Sequence, residues 1–167
     1  MNDQRRSELL RELLKNSRLS DRRLAKRLET SQPTITRLRK RLEKERLIRT
    51  YTIVPDFLKM GYTILAFTFS KMKSYPTMDE VLKIMQEATD WVDKHPNVIF
   101  AADGQGLGGK DVIMISLHKS YQEYASFMRS YALDWGHIIS MLENFIVSVG
   151  SEFTMKPLDL RYLAHDR

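Results

Sequence analysis

The sequence predicts an α+β protein in two parts, a small basic helical domain ahead of a larger domain with the element order βαββαβ. Three observations predict it. Before residue 45, apolar residues recur at helical spacing in three short runs separated by brief turns. From Tyr62 onward, four β-branched or alternating runs enclose two runs with the helical period. The charge also divides: residues 1–50 hold 16 Lys+Arg against 7 Asp+Glu, a net of +9, whereas residues 51–167 carry a net of −3. The positive field therefore belongs to one module, as expected of a surface that attracts a polyanion through counterion release.

Each element follows from local chemistry. Glu8 to Leu14 places Leu9, Leu10, Leu13 and Leu14 on the apolar face of a first helix. Ser20 is the N-cap of a second, with Leu24, Ala25 and Leu28 facing inward, and Glu29-Thr30-Ser31 forms a three-residue turn. The third helix begins at Ser31, whose hydroxyl can cap free backbone N–H groups, and Pro33 suits its first turn. Ile35, Leu38 and Leu42 recur at i, i+3 and i+7 and form its buried face, while Thr34, Thr36, Arg37, Lys40 and Arg41 occupy the other. Two helices joined by so short a turn, the second bearing a basic face, form a helix-turn-helix whose second helix enters the DNA major groove. Thr34, Thr36, Arg37 and Lys40 are the expected readers or positioners on double-stranded DNA, with Gln32 and Arg41 at the edges and Arg22 and Arg23 on phosphates. Leu47 to Val54 is β-branched and aromatic and predicts a short strand, ended by Pro55, that makes a wing. Arg49 on it is either a phosphate contact or a solvated arginine.

The second domain is expected to open with a strand over Tyr62–Ser70, broken at Tyr75-Pro76. Thr77–Asp93 follows as a helix ended by Pro96. Val98–Ala102 and Val112–Leu117 read as strands on either side of a glycine-rich loop, Tyr121–Leu133 as a helix, and Phe145–Val149 as the last strand. This is the ferredoxin-like arrangement, an antiparallel sheet with helices on one face. Its other face is left bare, and Phe67, Phe69, Ile113, Ile115 and Val147 are long apolar side chains for a surface facing water. Covering that face with a second copy is the expected solution, so a homodimer is the default. Domain boundaries are expected at 1–55 for the winged helix-turn-helix, 56–62 for a linker and 63–167 for the ferredoxin-like domain.

The run SDRRLAKRLETSQPTITRLRKRLEKERLIRTYTIVPDFLKMGY, ending at Tyr62, resembles the N-terminal winged helix-turn-helix of the Lrp/AsnC (feast/famine) transcription regulators. The most specific pieces are Ser31-Gln32-Pro33-Thr34, the Arg-Leu-Glu at 41–43, and Leu47-Ile48 leading to Tyr51-Thr52. One departure is visible: the family usually has Arg then Ile where this chain has Leu38 then Arg39. The resemblance implies a sequence-specific DNA-binding regulator whose second domain pairs face to face, with dimers often assembled into tetramers or octamers. It also implies an amino-acid effector held near a Gly-x-x-Asp turn between subunits.

That turn bears on Asp103-Gly104-Gln105-Gly106-Leu107-Gly108-Gly109-Lys110-Asp111, which holds four of the seven glycines. A dinucleotide cradle needs its glycines between a strand and a helix, and this loop joins two strands; no Ser or Thr follows Lys110 as a Walker-type loop requires. Two readings stay open: a hairpin loop using glycine for positive φ, and an effector site. Gly108-Gly109-Lys110-Asp111 matches the Gly-x-x-Asp pattern, and Gly104 fits an alternative register with a longer loop. Backbone N–H groups there can hold a carboxylate, and Asp103 or Asp111 an ammonium group.

Other chemistry is thin. His95, His118, His137 and His165 are far apart in sequence, no cysteine completes a zinc set, and no nucleophile motif occurs, so neither a catalytic residue, a metal nor a cofactor is expected. Trp91 and Trp135 read as core or cap residues. Without a secretory or membrane-spanning apolar segment, a cytoplasmic location is expected. The alternatives are a ligand-sensing architectural DNA binder and an enzyme built on the same two-domain fold. Pro157, Leu158, Leu160, Tyr162 and Leu163 suggest a tail packed on a neighbouring subunit or on the domain junction.

Overall fold

The computed structural model describes residues 2–73, 77–106 and 108–165. Tyr75, Pro76 and Leu107 lie outside the described residues. The chain divides into two units, Met1–Val54 with Met155–Arg167, and Pro55–Thr154.

The first unit is built from α1 (Asn2–Lys15), α2 (Asp21–Arg27) and α3 (Gln32–Lys44). Ser20 and Ser31 cap α2 and α3 as their sequence positions predict, their hydroxyls accepting from the backbone N–H of Arg23 and Thr34. Leu9, Leu13, Leu19, Leu24, Ile35, Leu38 and Leu42 close one apolar core between the three helices. Leu9, Leu24, Ile35 and Leu42 are fully buried, and truncating any one of them to alanine would cost about 2–5 kcal/mol.

Two expectations for this unit need correction. Residues 47–54 form no strand; they bend at 47–48 and have no ladder partner, and Ile53 is 76% exposed. High β propensity makes a strand only where a second strand is present to pair with it. The tail from Met155 belongs with the helices rather than with residues 63–154, because a 3-10 helix (Leu160–His165) packs on α1 and buries Ala164.

The second unit has a four-stranded antiparallel sheet of β1 (Ile64–Met72), β2 (Val98–Gly106), β3 (Lys110–His118) and β4 (Ile139–Ser148), in the order β2-β3-β1-β4. With α4 (Met78–Asp93) and α5 (Tyr121–Trp135), this is the expected ferredoxin-like order. A full capping box starts α4, with Thr77 and Glu80 each binding the other's backbone N–H. The strands run longer than their β-rich cores, with β2 carried through Gly104 to Gly106 and β4 starting at Ile139 rather than Phe145. Pairing with a well-formed neighbour overrides weak local propensity.

Both helices cover one face. Ala66, Thr68 and Ser70 of β1 and Met114, Ser116 and His118 of β3 point to it and are buried. The Thr68 hydroxyl donates to Asn144 at 2.8 Å, Ser70 meets the Tyr131 hydroxyl at 3.0 Å, and Ser116 meets His118 Nε2 at 2.8 Å. The Thr68, Ser70 and Ser116 hydroxyls under the helices thus each have a partner. Burial holds the His118 imidazole below its ordinary value, so it stays neutral at physiological pH. The intervening residues face the other way. Register places Phe67 opposite both Ile115 and Phe145, Phe69 opposite Ile113, and Leu65 opposite Val147, so all five residues named from the sequence share the bare face. Phe145 is 65% exposed and meets Phe67 edge-on.

Candidate nucleic-acid interface and hairpin site

The geometry of α3 follows from its buried stripe. With about 3.6 residues per turn, Ile35, Leu38 and Leu42 fix one side against α1 and α2, and Pro33, Arg37, Lys40 and Lys44 then lie on the opposite side. Arg37, Lys40 and Lys44 are exposed, and none has a carboxylate partner among the described residues. Arg22, Arg23 and Arg49 are likewise exposed and without an ion-pair partner there. Unpaired cations on the outward face of a capped helix are suited to phosphate oxygens. Lys44 was missed from the sequence, although its i+4 relation to Lys40 places it on the same stripe.

The other expected contacts divide. Gln32 is exposed, and Thr34 sits in the first turn with its hydroxyl 2.8 Å from Ser31 Oγ, so its orientation is held by the cap. Thr36 is on the flank facing α2 and its hydroxyl donates to the Asp21 carboxylate at 2.7 Å. Arg41 donates to Glu45 at 2.6 Å, so a phosphate must compete with an existing carboxylate for it.

Asp21 also explains Arg39. Its carboxylate accepts from Arg39 Nε at 2.9 Å, while the same guanidinium donates to the Leu19 carbonyl at 3.2 Å and to the Tyr51 hydroxyl at 3.3 Å. Tyr51 in turn donates to Glu43 at 2.9 Å, and burial pushes its phenol above the ordinary value, keeping it a donor. Arg39 is therefore a clamp between α3, the end of the α1–α2 turn and the segment after α3. Asp21→Ala should leave the part-buried Arg39 without its carboxylate and Thr36 with only the Gln32 carbonyl, at 3.1 Å, and destabilise the first unit by about 1–3 kcal/mol. Urea unfolding followed by far-UV circular dichroism reads that loss. Tryptophan fluorescence serves as an internal control, since Trp91 and Trp135 both lie in the second unit.

At the β2–β3 hairpin, Gly106 pairs with Lys110, and Gly108 and Gly109 lie at the turn between them. Gly108 and Gly109 have φ of +70° and +75°, a region that favours glycine. Gly104 lies within β2, at the register irregularity between Asp103, opposite Val112, and Gly106, opposite Lys110. Asp111 accepts from the Met72 backbone N–H at 2.7 Å and so ties the hairpin to the end of β1. Asp103 is exposed and without a hydrogen-bond partner among the described residues. Three charged groups missed from the sequence converge on the turn. The Lys110 side chain is 5% exposed, its ammonium lies 2.8 Å from Glu143, and Lys71 Nζ lies 3.3 Å from where a side chain at Gly109 would begin. The hairpin thus offers ammonium groups, carboxylates and turn N–H groups together, complementary to a small zwitterion.

His95 stacks on Trp91 and His118 is buried under α5, in separate environments. Among the described residues no three His, Cys, Asp or Glu side chains gather as metal ligands, and no helix is long and apolar enough to cross a membrane.

Comparison with known proteins agrees with this geometry. Residues 2–49 match a family described as winged helix-turn-helix DNA-binding. An uncharacterized HTH-type transcriptional regulator of Pyrococcus furiosus is 32% identical over 83 residues, covering 50% of this chain and 55% of that protein. The HTH-type transcriptional regulator LrpB of Bacillus subtilis is 28% identical over 88 residues, 53% of this chain and 58% of the relative. The chain therefore spans a little over half the length of these relatives. A Neisseria meningitidis transcriptional regulator in complex with L-Met superposes with a TM-score of 0.74 at 19% identity, over 95% of this chain and 96% of that one. An AsnC family transcriptional regulator from Agrobacterium tumefaciens gives 0.71 at 21% identity, over 95% and 97%. At these identities the structural likeness speaks for the fold.

Proposed function

We propose that this chain, which belongs to the Lrp/AsnC family by its sequence and fold, is a sequence-specific transcription regulator that binds duplex DNA as a homodimer. The observation that carries the reading is the outward stripe of α3, where Arg37, Lys40 and Lys44 stand unpaired opposite a fully buried apolar face. Arg37 and Lys40 position α3 in the major groove, Gln32 and Thr34 face base edges from its first turn, and Arg22, Arg23 and Arg49 meet phosphates. Thr36 acts through the Asp21 clamp. The bare sheet face centred on Phe67, Ile115 and Phe145 supports pairing with a second copy, and two reading helices then address half-sites one duplex turn apart, about 34 Å.

The hairpin supports an amino-acid effector. Lys71 and the N–H groups of Gly108 and Gly109 suit its carboxylate, and Asp103 or Glu143 its ammonium group. The bound L-Met of the similar Neisseria protein favours the same ligand class. The relatives' description as transcriptional regulators supports a binding protein rather than an enzyme. Footprinting on the DNA upstream of the protein's own gene tests the reading. Two protected half-sites with a spacing of about 10–10.5 bp are expected; unpatterned protection across the whole fragment would overturn it in favour of an architectural role.

A further inference from the structure

With α3 as the helix that enters the major groove, a reading on which this inference rests, the side chains it has free determine which bases it reads. α3 carries three arginines, Arg37, Arg39 and Arg41. Two are held inside the protein: Arg39 donates to Asp21, to the Leu19 carbonyl and to Tyr51, and Arg41 donates to Glu45. Only Arg37 is exposed and without an ion-pair partner among the described residues. The threonines are engaged as well, the Thr34 hydroxyl 2.8 Å from Ser31 Oγ and the Thr36 hydroxyl 2.7 Å from Asp21. Pro33 is different. It is exposed, and it lies one turn before Arg37 and two before Lys40 on the outward stripe. Its side chain is carbon and hydrogen alone. From its leading end the stripe therefore presents one apolar ring, one guanidinium and two ammonium groups, on Pro33, Arg37, Lys40 and Lys44.

Each of these groups has its own counterpart on the duplex. The thymine C5-methyl is the apolar group that base edges offer in the major groove, and it suits a carbon-only side chain. A guanidinium fork matches the O6 and N7 acceptors of guanine with two bonds, a fit that a single ammonium does not reproduce. The lysines farther along the helix suit phosphates. At about 1.5 Å of rise per residue, Pro33 and Arg37 stand about 6 Å apart along the axis. That is the rise of about two base pairs. We propose that Pro33 and Arg37 are the specificity-determining pair of α3. Each half-site then holds a thymine whose methyl packs on the Pro33 ring and, about two base pairs away, a guanine held by Arg37. Pro33 thus does more than fit the first turn of the helix.

The test lets the full chain select from duplexes with a randomised core, and then places uracil for thymine, or 7-deazaguanine for guanine, in the enriched half-site. Uracil lacks only the methyl, and 7-deazaguanine lacks the N7 acceptor. With the wild type, uracil should weaken binding about fourfold, the worth of one buried methyl. 7-Deazaguanine should weaken it about tenfold, one charge-assisted hydrogen bond's worth. Pro33→Ala should remove most of the uracil effect and keep the other; Arg37→Ala should do the reverse. The ratio between paired duplexes is the readout, so a general loss of affinity does not move it. Should a variant fail to fold, the wild-type ratios decide alone. An enriched half-site with no thymine about two base pairs from a guanine, or one indifferent to the methyl, would overturn the proposal and leave sequence-specific binding intact. A selection with no enriched sequence would instead overturn the sequence-specific reading, and this assignment with it.

Discussion

Replacing Arg37 and Lys40 together with alanine is expected to lower affinity for the specific duplex by on the order of 100-fold while leaving fold and oligomeric state unchanged. Both side chains are exposed and unpaired on α3, so their loss disturbs no packing and no internal ion pair. Each removed phosphate contact should reduce the slope of log K against log salt by about 0.9, and a contact to a base edge should cost about 1–3 kcal/mol and relax specificity at one position. The salt slope therefore separates the two roles. A double variant with unchanged affinity would remove α3 from the interface. Arg39→Ala should behave differently. Its guanidinium is bound to Asp21, Leu19 and Tyr51, so the first loss is thermal stability, with weaker DNA binding as a consequence.

The second large effect is expected on the bare sheet. Phe67 lies at the centre of that face, between Ile115 and Phe145, and Phe67→Glu would place a carboxylate where, in the proposed homodimer, a second copy buries apolar surface. A buried unpaired charge is far costlier than a lost contact, so the variant should sediment as a monomer with intact far-UV circular dichroism. Operator affinity should fall by about 10²–10⁴, because the second half-site is no longer engaged intramolecularly. A dimer of undiminished stability would show that another surface holds the copies together.

Much of this was legible in the sequence, for reasons that are local. The third helix was readable because its cap, its Pro33 and its apolar spacing lie within thirteen residues and agree with one another. The βαββαβ order was readable because period-two and helical runs alternate plainly. What was not readable depends on long-range pairing. Thr36 looked like a reader because nothing nearby showed that Asp21, 15 residues earlier, takes its hydroxyl. Leu47–Val54 looked like a wing strand because propensity says nothing about a partner. Gly104 reads as loop because glycine is a poor strand former, yet β2 runs past it to the Gly106–Lys110 pair. Lys71 and Glu143 carry no sequence signal for this turn, since only the register of β1, β3 and β4 brings them to Lys110. The tail shows the same limit: its apolar residues were evident, and that it packs on α1 was not.

The most direct test of the central claim is a fluorescence anisotropy titration of the full chain against duplex DNA from upstream of its own gene, with a shuffled duplex as control, at two salt concentrations. A preference for the native duplex of about 10³-fold or more, surviving the higher salt, is predicted. Equal binding to both duplexes that collapses together as salt rises would contradict it.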